Sequence, residues 1–204
     1  ANLCVLSMAI PSLCCGDSSL GPGYAIVQAQ KSVCAGRRSA AQAGMSGSII
    51  RSIGAVVFMP ETQKLGAEFY CNIEGGSCKE AGLTSDPETD AWWAKQDQAV
   101  KDALLVDQKP LKVALDLFHM WFDEVDGEKV WGHGASFDPV LLKAAYHAVG
   151  KEAPWKFYNE MCCRTVLALG NRKPLRQHGA HHNALSDAKN QAVAVMAALK
   201  GFRL

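Results

Sequence analysis

The first 60 residues are almost without negative charge: Asp17 is their one acidic side chain, and glutamate is absent. Any chemistry that needs paired carboxylates from this part of the chain is short of ligands. Overall, too, neither sign of charge dominates, with 21 Lys and Arg against 20 Asp and Glu. No global basic field announces nucleic acid, although a local basic patch is enough to bind it. No apolar run approaches the ~18 residues that suggest a membrane span, so no membrane partner is expected. Residues 1–10 are apolar but lack a basic leader and a clear cleavage pattern, which argues against a secretory signal. C-x-x-C is also missing, and the eight cysteines are spread thinly, with adjacent pairs at Cys14-Cys15 and Cys162-Cys163. Reduced thiols packed as small hydrophobes in an intracellular protein are the expectation, cytoplasmic by preference and with an organellar setting allowed. Zinc is a poor second.

What is present suits one domain of 204 residues. Residues 4–10 can form a first strand that Pro11 stops, and Gly16, Gly21, Pro22 and Gly23 punctuate a loop. Residues 28–47 are Ala, Ser, Gly, Gln and Arg, with Lys31, Arg37 and Arg38 as their only charges, and read as a flexible insertion. Pattern returns abruptly at Ile49. Residues 53–59 are a strongly apolar strand, residues 60–64 a polar turn and residues 65–72 the returning strand of a hairpin. Residues 74–85 read as a glycine-containing loop. Ser85, with Glu88 three residues on, then opens a helix carrying Trp92 and Trp93.

Residues 98–124 have helical spacing, broken at Pro110. Asp126-Gly127 turns the chain into a buried strand that runs to Asp138. Residues 139–149 form a helix closed by Gly150, residues 161–169 a short helix, residues 170–180 a basic loop and residues 184–199 the last helix. A hairpin and a further strand interleaved with helices indicate an α/β architecture: a mixed central sheet flanked by helices. Residues 1–48 are read as a divergent N-terminal segment and residues 49–204 as the domain proper.

The chemistry concentrates at Asp138, His182 and Asp187. Phosphodiester hydrolysis benefits from two divalent ions about 3.5–4 Å apart, one for the attacking water and one for the leaving oxygen. Magnesium selects carboxylate oxygens, and a neutral imidazole of pKa about 6.5 can take the proton of the water. Each residue also has a plainer role available. His182 can be a capping or core histidine, and Asp138, before Pro139, a helix N-cap. Trp92 and Trp93 can be core, since adjacent helical positions point about 100° apart and at most one faces a ligand. The cluster Arg172, Lys173 and Arg176 can be a solvated loop or a phosphate contact. Phe137 is a further aromatic candidate for nucleic-acid contact.

Five ordered blocks over residues 49–200 resemble the DEDDh 3′–5′ exonucleases of the ribonuclease H-like superfamily. They are Ser52-Ile53-Gly54-Ala55-Val56 with its hairpin, Asp86-Pro87-Glu88-Thr89 leading to Trp92, Trp93 and Gln96, the stretch from Trp131 to Asp138, Arg164-Thr165, and the stretch from His182 to Ala188. The branch they most resemble holds the RNase AS-type exoribonucleases and the phage exonuclease VIII-like proteins. The resemblance implies a ribonuclease H-like fold, Asp138 and Asp187 as metal ligands, His182 as general base, and Mg²⁺ or Mn²⁺ as cofactor, two ions in an intact site. It further implies the 3′ end of single-stranded nucleic acid as substrate, RNA rather than DNA. Such enzymes carry D-x-E on the first strand, where alternation puts both carboxylates on one face. Its expected place, near residues 8–13, holds Pro and Ser. Asp86-Pro87-Glu88 spells the motif but falls at a helix start, where capping accounts for it. Two functions follow: a metal-dependent 3′–5′ exonuclease, or a catalytically impaired relative that acts as a nucleic-acid-binding or structural subunit of a larger assembly; a homodimer or membership of a larger complex is the expected assembly.

Overall fold

The computed structural model describes residues 23–31, 47–85, 87–134, 136–170 and 183–201. Strand β1 (Gly23–Lys31) lies between the long hairpin strand β2 (Ile50–Met59) on one side and β4 (Gly127–Gly132) on the other. The hairpin returns through β3 (Lys64–Asn72), and β5 (Glu160–Cys162) closes the far edge, giving the order β3-β2-β1-β4-β5. β1 to β3 pair antiparallel, whereas β4 and β5 run parallel to β1. This is the expected mixed sheet, and the hairpin falls where the apolar run and polar turn place it.

One correction concerns the N-terminal part of the chain. Gln28–Lys31, weak in strand formers, continue β1 rather than beginning an insertion, because each pairs with a residue of β2 and that pairing overrides local propensity. The earlier strand read at residues 4–10, and residues 8–13 with it, lie outside the described residues.

Seven helices are described. Residues 74–85, read as loop, contain α1 (Gly75–Glu80), anchored where the Cys78 side chain is buried. α2 (Pro87–Ala94) begins at its proline, one residue later than capping by Ser85 requires, with Glu88 and Asp90 in its first turn. α3 (Gln98–Ala103) and α4 (Leu111–Glu124) divide at Pro110 as read. The Gly127–Gly132 strand stops six residues before Asp138, which instead opens α5 (Asp138–Ala148). The cause is local, since a Cβ at Gly132 would lie 2.6 Å from Pro139 Cδ and Gly134 adopts φ +142°. α5 ends in a Schellman arrangement: Lys151 N–H donates to Tyr146 O and Gly150 N–H to His147 O, with Gly150 at φ +71°. Residues 161–162 belong to β5, so α6 is shorter than read (Cys163–Leu169), and α7 spans Ala184–Leu199 as expected.

The sheet has a core on each face. Ala25, Val27, Ile53 and Ala55 pack with the buried stripe of α4 (Leu111, Leu115, Phe118, Phe122) and with Leu141 and Tyr146 of α5. On the other face Ile26, Val56, Phe58 and Trp131 meet Cys163 and the alanine-rich side of α7, where Ala188 and Ala192 let the helix approach closely. Cys71, Cys78, Cys162 and Cys163 are free thiols, and all but Cys162 are buried. Among the described residues no helix is long and apolar enough to cross a membrane.

Candidate active site at the end of the central strands

Asp138 is wholly buried, and its Oδ2 accepts the His133 N–H at 2.8 Å. The turn of residues 132–137 thus wraps around the carboxylate it delivers. Gly132 makes the turn possible, since a Cβ there would lie 3.1 Å from Asp138 Oδ2. Asp187 comes from the opposite face, in the first turn of α7. That turn is set by Asn183, whose side chain accepts the Ser186 N–H at 3.0 Å as an N-cap. It is set again by Gly54, where a Cβ would lie 2.3 Å from the backbone of Ala184 and Leu185. The start of α7 therefore rests directly on β2.

Strand register relates these anchors to β1. Gly54 pairs with Gln28, and the parallel ladder to β4 runs up to Ile26 and Trp131, one residue before β4 ends. The Ile26 side chain lies on the face of the sheet on which α7 packs. Both aspartates are thus delivered around the same end of the central strand. The nine residues of that strand, GYAIVQAQK, contain no carboxylate.

Cys163 links the two sides. It is fully buried at the start of α6, and its Sγ lies 4.0 Å from Oε1 of Gln191, one helical turn after Asp187. Burial pushes its thiol far up, and the negative charge of Asp138 adds to the effect, so the group stays protonated. His133 is shifted the other way, by burial and then by the Arg164 guanidinium, and stays neutral near pH 7.

Trp93 is buried and Trp92 half-buried, their rings edge to face at 5.0 Å. The Arg51 guanidinium lies 5.2 Å from the Trp93 ring centroid and pairs with Asp90 at 3.3 Å. Phe137 is partly buried against the core on the α4 and α5 face. His182, Arg172, Lys173 and Arg176 lie outside the described residues. Sequence reasoning missed Gly54 and Cys163 as parts of the site's frame. A glycine inside an apolar strand was the available signal for the first, because it marks a close backbone approach.

The fold has counterparts among solved structures. The nuclease domain of 3′hExo, a DEDDh family member solved bound to rAMP, superposes with a TM-score of 0.57 at 12% identity, over 91% of this chain and 94% of that one. A full-length 3′-exonuclease matches with a TM-score of 0.55 at 11% identity, over 89% of this chain and 83% of that one. Exonuclease X, solved in complex with 5′ overhanging duplex DNA, matches at 0.52 and 15% identity, over 87% and 91%. At these identities the likeness is one of fold, that of the ribonuclease H-like exonucleases. No curated protein matched the chain. Residues 42–199 match the 3′-5′ exoribonuclease Rv2179c-like domain, and the chain belongs to that family.

Proposed function

We propose that this chain binds the 3′ end of single-stranded nucleic acid, RNA in preference to DNA, at a site whose hydrolytic power is curtailed. The observation that carries the reading is the composition of β1. Where the family resemblance calls for D-x-E, the central strand offers Gln28 and Gln30, while Asp138 and Asp187 remain.

The chemistry of that donor set does not fit a pair of divalent ions. Magnesium and manganese sites of this kind are built from several anionic oxygens, and an amide oxygen is a neutral donor. Two carboxylates in place of four leave half the negative charge that would offset two dications. Among the described residues no group of three or more His, Cys, Asp and Glu could hold a metal. No hydrolytic step is therefore assigned to bound ions here, and groups that act as a unit lose most of their effect when part of the set is missing.

Binding does not depend on the full set. In this reading Asp138 and Asp187 frame the 3′ end, His182 stands beside it, and Arg172, Lys173 and Arg176 contact phosphates. Trp92, the more exposed of the tryptophan pair, offers a stacking face, with Trp93 supporting it and Phe137 bordering the Asp138 turn. A stacked base contributes roughly 1–3 kcal/mol.

The test uses 3′-labelled single-stranded RNA with Mg²⁺ or Mn²⁺. The wild type is expected to bind the strand and release no mononucleotide, whereas Gln28→Asp combined with Gln30→Glu gains release on the order of 100-fold or more. Release by the wild type that Asp138→Ala abolishes would overturn the impairment. Failure of the wild type to bind RNA at all would overturn the reading as a whole.

A further inference from the structure

Beyond the aspartates, a cavity of about 560 Å³ opens between α1, α2, α3 and the start of β2. Three cations line it, Arg51, Lys79 and Lys101, against one carboxylate, Asp90. Trp93 forms one wall and Leu104 part of another. Its frame is fixed. Asn72 donates to the carbonyls of Ala103 at 2.9 Å and Val106 at 2.8 Å, which ties the end of α3 and the following turn to β3. The Lys109 N–H in turn donates to Asn72 O. Arg51 is held over Trp93 and against Asp90.

The cavity lies at the same end of the sheet as the two aspartates, because Ile50, where β2 begins, pairs with Lys31, where β1 ends. β4 and β2 flank β1 on either side, so two inter-strand spacings, about 10 Å, separate the line of β4 from that of β2. A strand whose 3′ end sits by Asp138 and Asp187 can reach it without leaving this edge.

We propose that this cavity is a second subsite, which holds an upstream nucleotide of the bound strand. Lys79 and Lys101 meet its phosphates, and Arg51, backed by the Trp93 indole, is the surface on which its base stacks. Nucleobases stack on guanidinium planes as well as on aromatic rings. The excess of two positive charges in the lining suits a phosphodiester, and the volume suits a ligand of small-molecule size. The subsite rests on the proposed binding of a nucleic-acid strand, and it gives that strand a direction, from the cavity towards the aspartates.

The experiment is fluorescence anisotropy with 5′-fluorescein oligouridylates of two and eight nucleotides, using the full chain and the double variant Lys79→Gln with Lys101→Gln. The expected result is an affinity for the eight-mer lowered about tenfold, with the log–log salt slope reduced by about 1.4, the amount that two lost phosphate contacts give on a single strand. The two-mer, which reaches only the aspartates, is expected to bind both proteins equally. Circular dichroism confirms that the variant is folded, and Arg51→Gln is a second variant expected to weaken the eight-mer selectively. Eight-mer binding and salt slope unchanged in both variants would overturn the subsite while leaving the proposed function standing. Loss of both oligonucleotides in equal measure would overturn it as well, and a wild type that binds neither would remove its basis.

Discussion

Gly54 and Ala184 meet backbone to backbone: a Cβ on the first would lie 2.3 Å from the carbonyl carbon of the second. Neither side can yield by rotating a side chain, so Gly54→Ala must lift the first turn of α7 or bend β2. Overpacking of this kind costs about 1–3 kcal/mol, with a backbone obstacle at the upper end. For a domain of this size about 3 kcal/mol corresponds to a fall of roughly 6–12 °C in Tm. Thermal unfolding followed by circular dichroism checks this, and an unchanged midpoint would contradict the close packing.

Asn183→Ala removes the side-chain acceptor for the Ser186 N–H but leaves the packing of Ala184 and Ala188 in place. The expected loss is ~1 kcal/mol, the usual value of a helix cap. Asn183→Asp, which keeps an acceptor, is expected to restore the wild-type midpoint in the same measurement.

Asp138 differs from an exposed ligand in that it also satisfies the N–H of His133. Asp138→Ala leaves that buried donor unpaired and costs about 1–3 kcal/mol. Asp138→Asn retains an oxygen acceptor and is expected to cost less. Urea denaturation of the two variants should give a lower midpoint for alanine, which makes asparagine the better control in any binding assay.

Alkaline pH is expected to destabilise the protein. The folded state raises the thiols of Cys71, Cys78 and Cys163 and the phenol of Tyr146, in each case mainly by burial. A raised pKa means that the folded chain keeps protons which the unfolded chain releases. The stabilisation is therefore complete below the ordinary values, 9.0 for thiols and 10.0 for the phenol. It is lost progressively as pH rises above them. Tm should decline from about pH 9 upwards, more gently in Cys163→Ala relative to its own value at pH 7. A flat Tm profile to pH 10.5 would contradict the burial of these groups.

The hairpin and α7 were legible because each is a long segment with one clear pattern, an apolar run over residues 53–59 in β2 and small residues at helical spacing in α7. Asp138 and Asp187 were legible as candidates because glycines and a helix start fix them locally. β1 was not. Its last four residues, Gln28, Ala29, Gln30 and Lys31, carry no strand signal of their own and are ordered by the ladder to β2, a contact distant in sequence. The helix at Gly75–Glu80 was hidden by its two leading glycines, and the cavity beside it by being shared among four elements.

The hydrogen bonds of Asn72 have a meaning for the sheet as well as for the cavity. β3 is one of the two edge strands, and an edge strand offers unpaired amides to any passing chain. At its C-terminal end those groups are engaged: Asn72 O receives the Lys109 N–H, and Ile73 makes a parallel bridge to Lys109. At the other end Lys64 puts charge on the strand, and at its middle Glu68 pairs with Lys189 of α7 at 2.7 Å. One end of this border is thus closed by the loop at Lys109, which leaves a shorter stretch of strand edge open to pairing with another chain.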